Sequence, residues 1–148
     1  MKKLTLLCCA FLCTISTIQA QKWHTDFEEA KKVAAEKNRK IIVVFQGSDW
    51  NGLCIRLNKE MWTNTEFQKY AEENYVMLKA DFPRRKENML SKEQLEKNNK
   101  LADMYNRDRV FPFVAIVDKQ GELLGTTGYK KVSADQYIEL LNFFKPSN

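Results

Sequence analysis

The chain has 148 residues, a formal net charge of +5, 44% hydrophobic and 29% charged residues. That length supports one domain with a real hydrophobic core and excludes two comfortable ones. The composition is that of an ordinary globular protein, and the positive surplus is too small and too dispersed among acids to argue for nucleic acid as a partner.

Lys2 and Lys3 open the chain, an apolar run extends from Leu4 to Ile18, and Ala20 offers a small residue for cleavage. This three-part pattern predicts a secretory signal peptide over 1–20 and one domain over 21–148. The run is shorter than the about 20 residues a spanning helix needs, so membrane contact is expected only through this segment before cleavage. Ile18 is large for its place before the cut, which leaves an uncleaved anchor open. Cys8 and Cys13 follow Leu7 and Leu12, not the small residue a lipoprotein signal wants. Cleavage would remove Lys2 and Lys3 and no acid, taking the charge from +5 to +3. It would also remove Cys8, Cys9 and Cys13, leaving Cys54 alone. A lone thiol in an exported protein is buried, reactive or paired between chains, and a Cys54-linked dimer stays open.

Thr25 with Glu28 predicts a capping box, and Phe27, Ala30 and Ala34 continue a helix to about Asn38. Ile41-Ile42-Val43-Val44-Phe45 is a β-branched apolar run, the mark of a strand buried on both faces. Gln46 to Asp49 is a turn, and the next helix carries Leu53, Cys54, Leu57 and Met61 on one stripe. Thr63 and Glu66 predict a second capping box and a helix to about Glu73. Tyr75 to Ala80 reads as a strand and Asp81 to Met89 as a polar loop. In that loop the basic run Arg84-Arg85-Lys86, followed by Glu87, reads as a solvated surface. Ser91 and Gln94 cap a charged helix with Leu95, Leu101, Ala102 and Tyr105 as its apolar positions. Phe113 to Val117, a turn at Asp118 to Gly121, and Glu122 to Thr126 predict a hairpin. Ser133 and Gln136 cap a last helix with Tyr137, Leu140, Leu141 and Phe144 on one face, and Pro146 stops it. Alternating strands and helices followed by a hairpin predict a mixed sheet covered on both faces. His24, the single histidine, makes no metal site and is expected to cap or decorate the N-terminal segment.

The element order resembles the thioredoxin fold with an extra N-terminal helix: an α/β fold whose central mixed sheet has four to five strands. A buried strand runs into Gly47-Ser48-Asp49-Trp50, and a helix starts around Asn51-Gly52-Leu53-Cys54. Exported bacterial thioredoxin-like proteins often place Trp and then Cys-Gly-Pro-Cys there; Trp50, Gly52 and Cys54 match, while Asn51 and Leu53 stand for the first cysteine and the proline. Val110-Phe111-Pro112-Phe113 resembles the family's cis-proline segment, and Asp118 to Glu122 its hairpin. The resemblance covers residues 22–145. It implies thiol–disulfide chemistry by descent. The signal segment points to the periplasm or the cell exterior, and no cofactor and no metal are expected.

A dithiol site needs two cysteines one turn apart: one attacks a disulfide as thiolate, the other resolves the mixed disulfide. With Asn51 in the first place that cycle cannot run within the molecule, and negligible insulin reduction is expected. Asn51 is a strong N-cap residue, expected to accept a backbone N–H, that of Cys54. Cys54 lies on an apolar stripe and reads as a small buried hydrophobe, or as a monothiol near a helix start, where the helix end lowers its pKa and burial raises it. Asn51-x-x-Cys54 is only distantly like the Thr-x-x-Cys of peroxiredoxins. Trp50 reads as a groove contact or as packing on the sheet edge. Phe111 and Phe113 border the groove or fill the core. In the resembled family the backbone of the residue before the cis-proline pairs with an extended peptide, a surface that needs no thiol. The expected site is therefore Trp50, Asn51, Gly52, Phe111 and Pro112, with Cys54 as the candidate reactive thiol. One reading is a module that binds protein or peptide segments of the cell envelope. A second is a monothiol enzyme of exchange, isomerisation or peroxide reduction. A third is an accessory subunit whose fold serves assembly.

Overall fold

A computed structural model describes residues 21–144. The expected signal segment 1–20 and the expected stop at Pro146 lie outside the described residues.

Among the described residues, five strands and five α-helices follow in the order β1 (Trp23–His24), α1 (Phe27–Lys37), β2 (Lys40–Gln46), α2 (Gly52–Leu57), α3 (Thr65–Asn74), β3 (Tyr75–Asp81), α4 (Lys92–Tyr105), β4 (Phe113–Val117), β5 (Leu123–Thr127) and α5 (Ala134–Phe143). The sheet order is β1-β3-β2-β4-β5. β3 is parallel to both β1 and β2, whereas β4 is antiparallel to β2 and to β5. The fold is the expected α/β thioredoxin fold.

Side-chain alternation along β2 feeds two cores. Ile42 and Val44 meet Leu57, Phe67 and Tyr137 under α2, α3 and α5. Ile41, Val43 and Phe45 meet Ala30, Ala34 and Leu101 under α1 and α4. Both faces of β2 are dry, as its unbroken apolar run requires.

Local chemistry shifts several expected boundaries. α1 is capped by Asp26, not Thr25: its carboxylate accepts the Glu29 N–H at 3.0 Å. Between α2 and α3 the chain makes a π-turn, Asn58–Trp62. The Thr63 hydroxyl folds back onto the carbonyls of Asn58 and Lys59, each at 3.1 Å. Thr63 is thereby spent, and Asn64 caps α3 by accepting the Phe67 N–H at 3.0 Å. Ser91 caps α4 as expected, but the Gln94 side chain turns away to the Thr25 carbonyl and Asn98, so no reciprocal box forms. The Ser133–Gln136 box is complete. Leu53, expected on the apolar stripe, is 47% exposed, while Cys54, Leu57 and Met61 are buried. Gly121 closes the β4–β5 turn at φ +94°, a conformation L side chains rarely adopt.

β1 is too short to show a period, and it corrects the reading of His24. That residue is a buried strand residue, 5% exposed, paired alongside Leu78. Burial pushes its pKa below the usual histidine value, and Glu29, Oε1 at 3.4 Å from Nδ1, opposes this only in part. Among the described residues Nδ1 has no hydrogen-bond partner.

Candidate functional site

The site forms where β2 ends, α2 begins and the segment before β4 comes alongside. Gly47 and Trp50 are matched: a β-carbon on Gly47 would lie 2.3 Å from the indole. The indole therefore lies on a backbone surface that only glycine leaves open. Its Nε1–H donates to the Phe82 carbonyl at 2.8 Å. Its ring meets Phe111 edge-on at 5.9 Å, and the Arg84 guanidinium stands 3.5 Å from its centroid. Trp50 is thus both packed and groove-lining.

Asn51 uses both ends of its carboxamide. Oδ1 accepts the Cys54 N–H at 3.0 Å, the expected N-cap. Nδ2 donates to the Phe111 carbonyl at 3.2 Å, tying the helix start to the proline segment. Gly52 follows, exposed, and an added methyl would meet nothing within 4 Å, so packing does not require glycine there.

Cys54 is 2% exposed. Its Sγ accepts the Gly47 N–H at 3.4 Å. Burial pushes the thiol pKa up; the Gly47 N–H works against this, and the Asp81 charge adds to it. Burial wins over any help from the helix start, because α2 has only six residues and its N-cap is already satisfied by Asn51. The thiol is held protonated and covered.

The Phe111–Pro112 peptide bond is cis, and the Pro112 ring is buried. Two features set the approach to it. The Asn106 side chain accepts the Val110 N–H at 3.0 Å and donates to the Val110 carbonyl at 2.8 Å, and Arg109 takes a left-handed φ of 52°. Phe111 packs on Phe82 at 5.3 Å and Phe113 on Phe45 at 6.0 Å, so both rings flank the core that α1 and α4 cover.

Several contributors were invisible in the sequence. Asp49, read as a local turn residue, accepts the N–H groups of Arg84 and Arg85 at 3.0 and 2.9 Å and the Asn88 amide at 3.0 Å. Desolvation acts against its charged form, but these donors outweigh it and hold the carboxyl below its usual range. Asp81 accepts the Ser48 N–H at 3.0 Å and its hydroxyl at 2.6 Å. Asn98, a polar residue in a charged helix, is buried and donates to the Asp81 carbonyl at 2.8 Å. No short-range spacing signals these pairs, whose partners lie 17 to 39 residues away. Beside the groove, and sharing its Trp50–Phe111 wall, is a cleft of about 340 Å³ that the loop after β3 helps to form. A larger depression, about 470 Å³, lies between α1 and α3 around His24 and Tyr75 and shares no residue with this site.

A family model described as thioredoxin-like matches residues 22–119. The chain is 28% identical over 145 residues to the disulfide bond reductase DsbH of Chlamydia pneumoniae, covering 91% of this chain and 85% of that protein. It is 35% identical over 60 residues to the thioredoxin-related protein DsbJ of the same organism; that match covers 40% of this chain and spans only 17% of the length of DsbJ. Among solved structures, DsbH oxidoreductase superposes with a TM-score of 0.77 at 26% identity over 84% of each chain. A thioredoxin from Thermus thermophilus superposes at 0.59 with 18% identity, over 84% of this chain and 87% of that one, a likeness of fold alone.

Proposed function

The chain belongs to the thioredoxin-like family, and from that premise we propose that it is an exported, redox-impaired member that binds extended protein segments at the groove between Trp50, Asn51 and Pro112. Its expected place is the periplasm or the cell exterior, after loss of residues 1–20. The observation that carries the reading is Asn51. Its carboxamide is committed to the Cys54 N–H and the Phe111 carbonyl, at the place in the motif where the resemblance would put a first thiol. Beside it, the Cys54 thiol is covered and held neutral. A thiolate is the species that attacks a disulfide, so this arrangement favours recognition over exchange. Trp50 and the backbone before Pro112 still offer an aromatic wall and an extended edge.

The test pairs two assays on the processed chain: dithiothreitol-driven insulin reduction, and binding of a reduced, alkylated unfolded protein. Background insulin turnover with saturable binding that weakens in Trp50→Ala is the expected result. Turnover matching a dithiol thioredoxin would overturn the reading.

A monothiol enzyme is the second reading. The likeness to a protein named a disulfide bond reductase favours it. It requires Cys54 to become accessible and a second thiol from another molecule, and any turnover must vanish in Cys54→Ser.

A further inference from the structure

We infer that the cleft beside the groove is a specificity pocket for peptide segments in which a bulky apolar side chain neighbours a carboxylate. This deepens the binding reading above and rests on it.

The walls are aromatic: Trp50, Phe82 and Phe111. Leu90 and Leu95 line it, and Met89, 56% exposed, stands at its edge. At about 340 Å³ it lies at the low end of the about 300–1,000 Å³ of ligand pockets. That size takes one large side chain or two small ones, not a cofactor.

Its charge has one sign. Arg84 and Arg109 line it and no carboxylate does. Arg109 is half-answered by Asp103 at 2.6 Å. Arg84 is not: its guanidinium lies on the Trp50 ring and, among the described residues, has no hydrogen bond and no ion pair. Stacking on the indole fixes the plane of the fork while leaving its N–H edges free, the geometry that meets a carboxylate bidentately.

The cleft is also held in shape. Asp49 grips the backbone N–H groups of Arg84 and Arg85, and Trp50 grips the Phe82 carbonyl. The backbone from which the free guanidinium projects is therefore tied to the turn before α2. The basic run that reads as a solvated loop contributes a pre-placed cation. An extended segment lying along Phe111 can place an apolar side chain against the three rings and an adjacent Asp or Glu on Arg84.

Three fluorescent peptides on a Gly/Ser background test this by anisotropy with the processed chain: one centred on Asp-Phe-Asp, one on Lys-Phe-Lys, one on Asp-Ala-Asp. The first is expected to bind about tenfold tighter than either of the others: against the lysine peptide that is the scale of one charge-assisted contact, and against the alanine peptide that of one buried aromatic ring. Arg84→Glu is expected to move the preference to the lysine peptide. Arg84 is exposed and takes no part in the core, so that variant folds. Equal binding of the aspartate and lysine peptides, still lost in Trp50→Ala, would overturn the pocket and leave the groove reading standing. No binding by any peptide would overturn both, and so would a signal arising only from self-association of the chain.

Discussion

Asn51 is both a helix cap and a strut, and the two roles separate by substitution. Removing a capping side chain costs about 1 kcal/mol, and losing a hydrogen bond such as the one to Phe111 costs about 1 kcal/mol more. Asn51→Ala is expected to lower unfolding stability by about 2 kcal/mol in urea. Asn51→Ser keeps an acceptor for the Cys54 N–H, but its shorter hydroxyl does not reach the Phe111 carbonyl as Nδ2 does, and it should lose about half as much. No loss in Asn51→Ser would show that the Phe111 bond carries nothing, and equal losses in the two variants would show that the cap carries nothing. Cys54 makes the companion case. With its thiol covered and its pKa raised, alkylation of the native chain should stay slow through pH 8 and accelerate on adding denaturant. Rapid native labelling at pH 7 would point to a thiolate and to the enzyme reading. The sign for stability follows: a raised folded pKa favours the neutral thiol, so its contribution is complete below the unfolded value and fades as pH rises above it.

At the level of elements, the turn from β2 into α2 is coupled to the loop after β3. Gly47 leaves room for the indole, the indole holds Phe82, and Asp49 holds Arg84 and Arg85. Gly47→Ala drives a methyl into the ring and must displace Trp50, removing one wall of the groove and of the cleft. Peptide affinity is expected to fall as far in Gly47→Ala as in Trp50→Ala, with no further fall in the double variant. Additive losses would mean that Gly47 acts elsewhere. What could be read in advance divides along this same line. The apolar run of β2, the Ser133–Gln136 box and the Asn51 cap depend on neighbours within four residues, and each stood in the chain as written. Asp49 with Arg84, Trp50 with Phe82 and Asn51 with Phe111 join residues 32 to 60 positions apart, and no local period encodes them. Thr63 shows the limit of motif reading: the π-turn spends its hydroxyl, and the next residue takes the cap. β1, two residues long, has no period to read.

For the whole molecule, that two-residue strand closes one side of the sheet and carries a buried histidine. β1 pairs with β3, and Trp23 meets Trp62 edge-on at 6.0 Å over the core. His24 sits beside it, buried, with Nδ1 lacking a hydrogen-bond partner and with Lys22 and Lys37 adding unfavourable charge to that of a protonated ring. Its folded pKa therefore lies below the unfolded 6.5. A depressed pKa means the unfolded chain takes up the proton first, so stability is complete above about 6.5 and declines as pH falls through the folded value. The slope stays under the about 1.4 kcal/mol per pH unit of one full proton. Between pH 7 and 5 most carboxylates remain ionised, which leaves the histidine as the main titrating group. Urea midpoints are expected to drop over that window in the wild type and to stay level in His24→Gln. Amide exchange should show where: as His24 charges, β1 releases first, and protection of the β3 amides that face β1 falls before that of β2 at the sheet centre. A pH slope that survives His24→Gln would show that the histidine does not carry the effect.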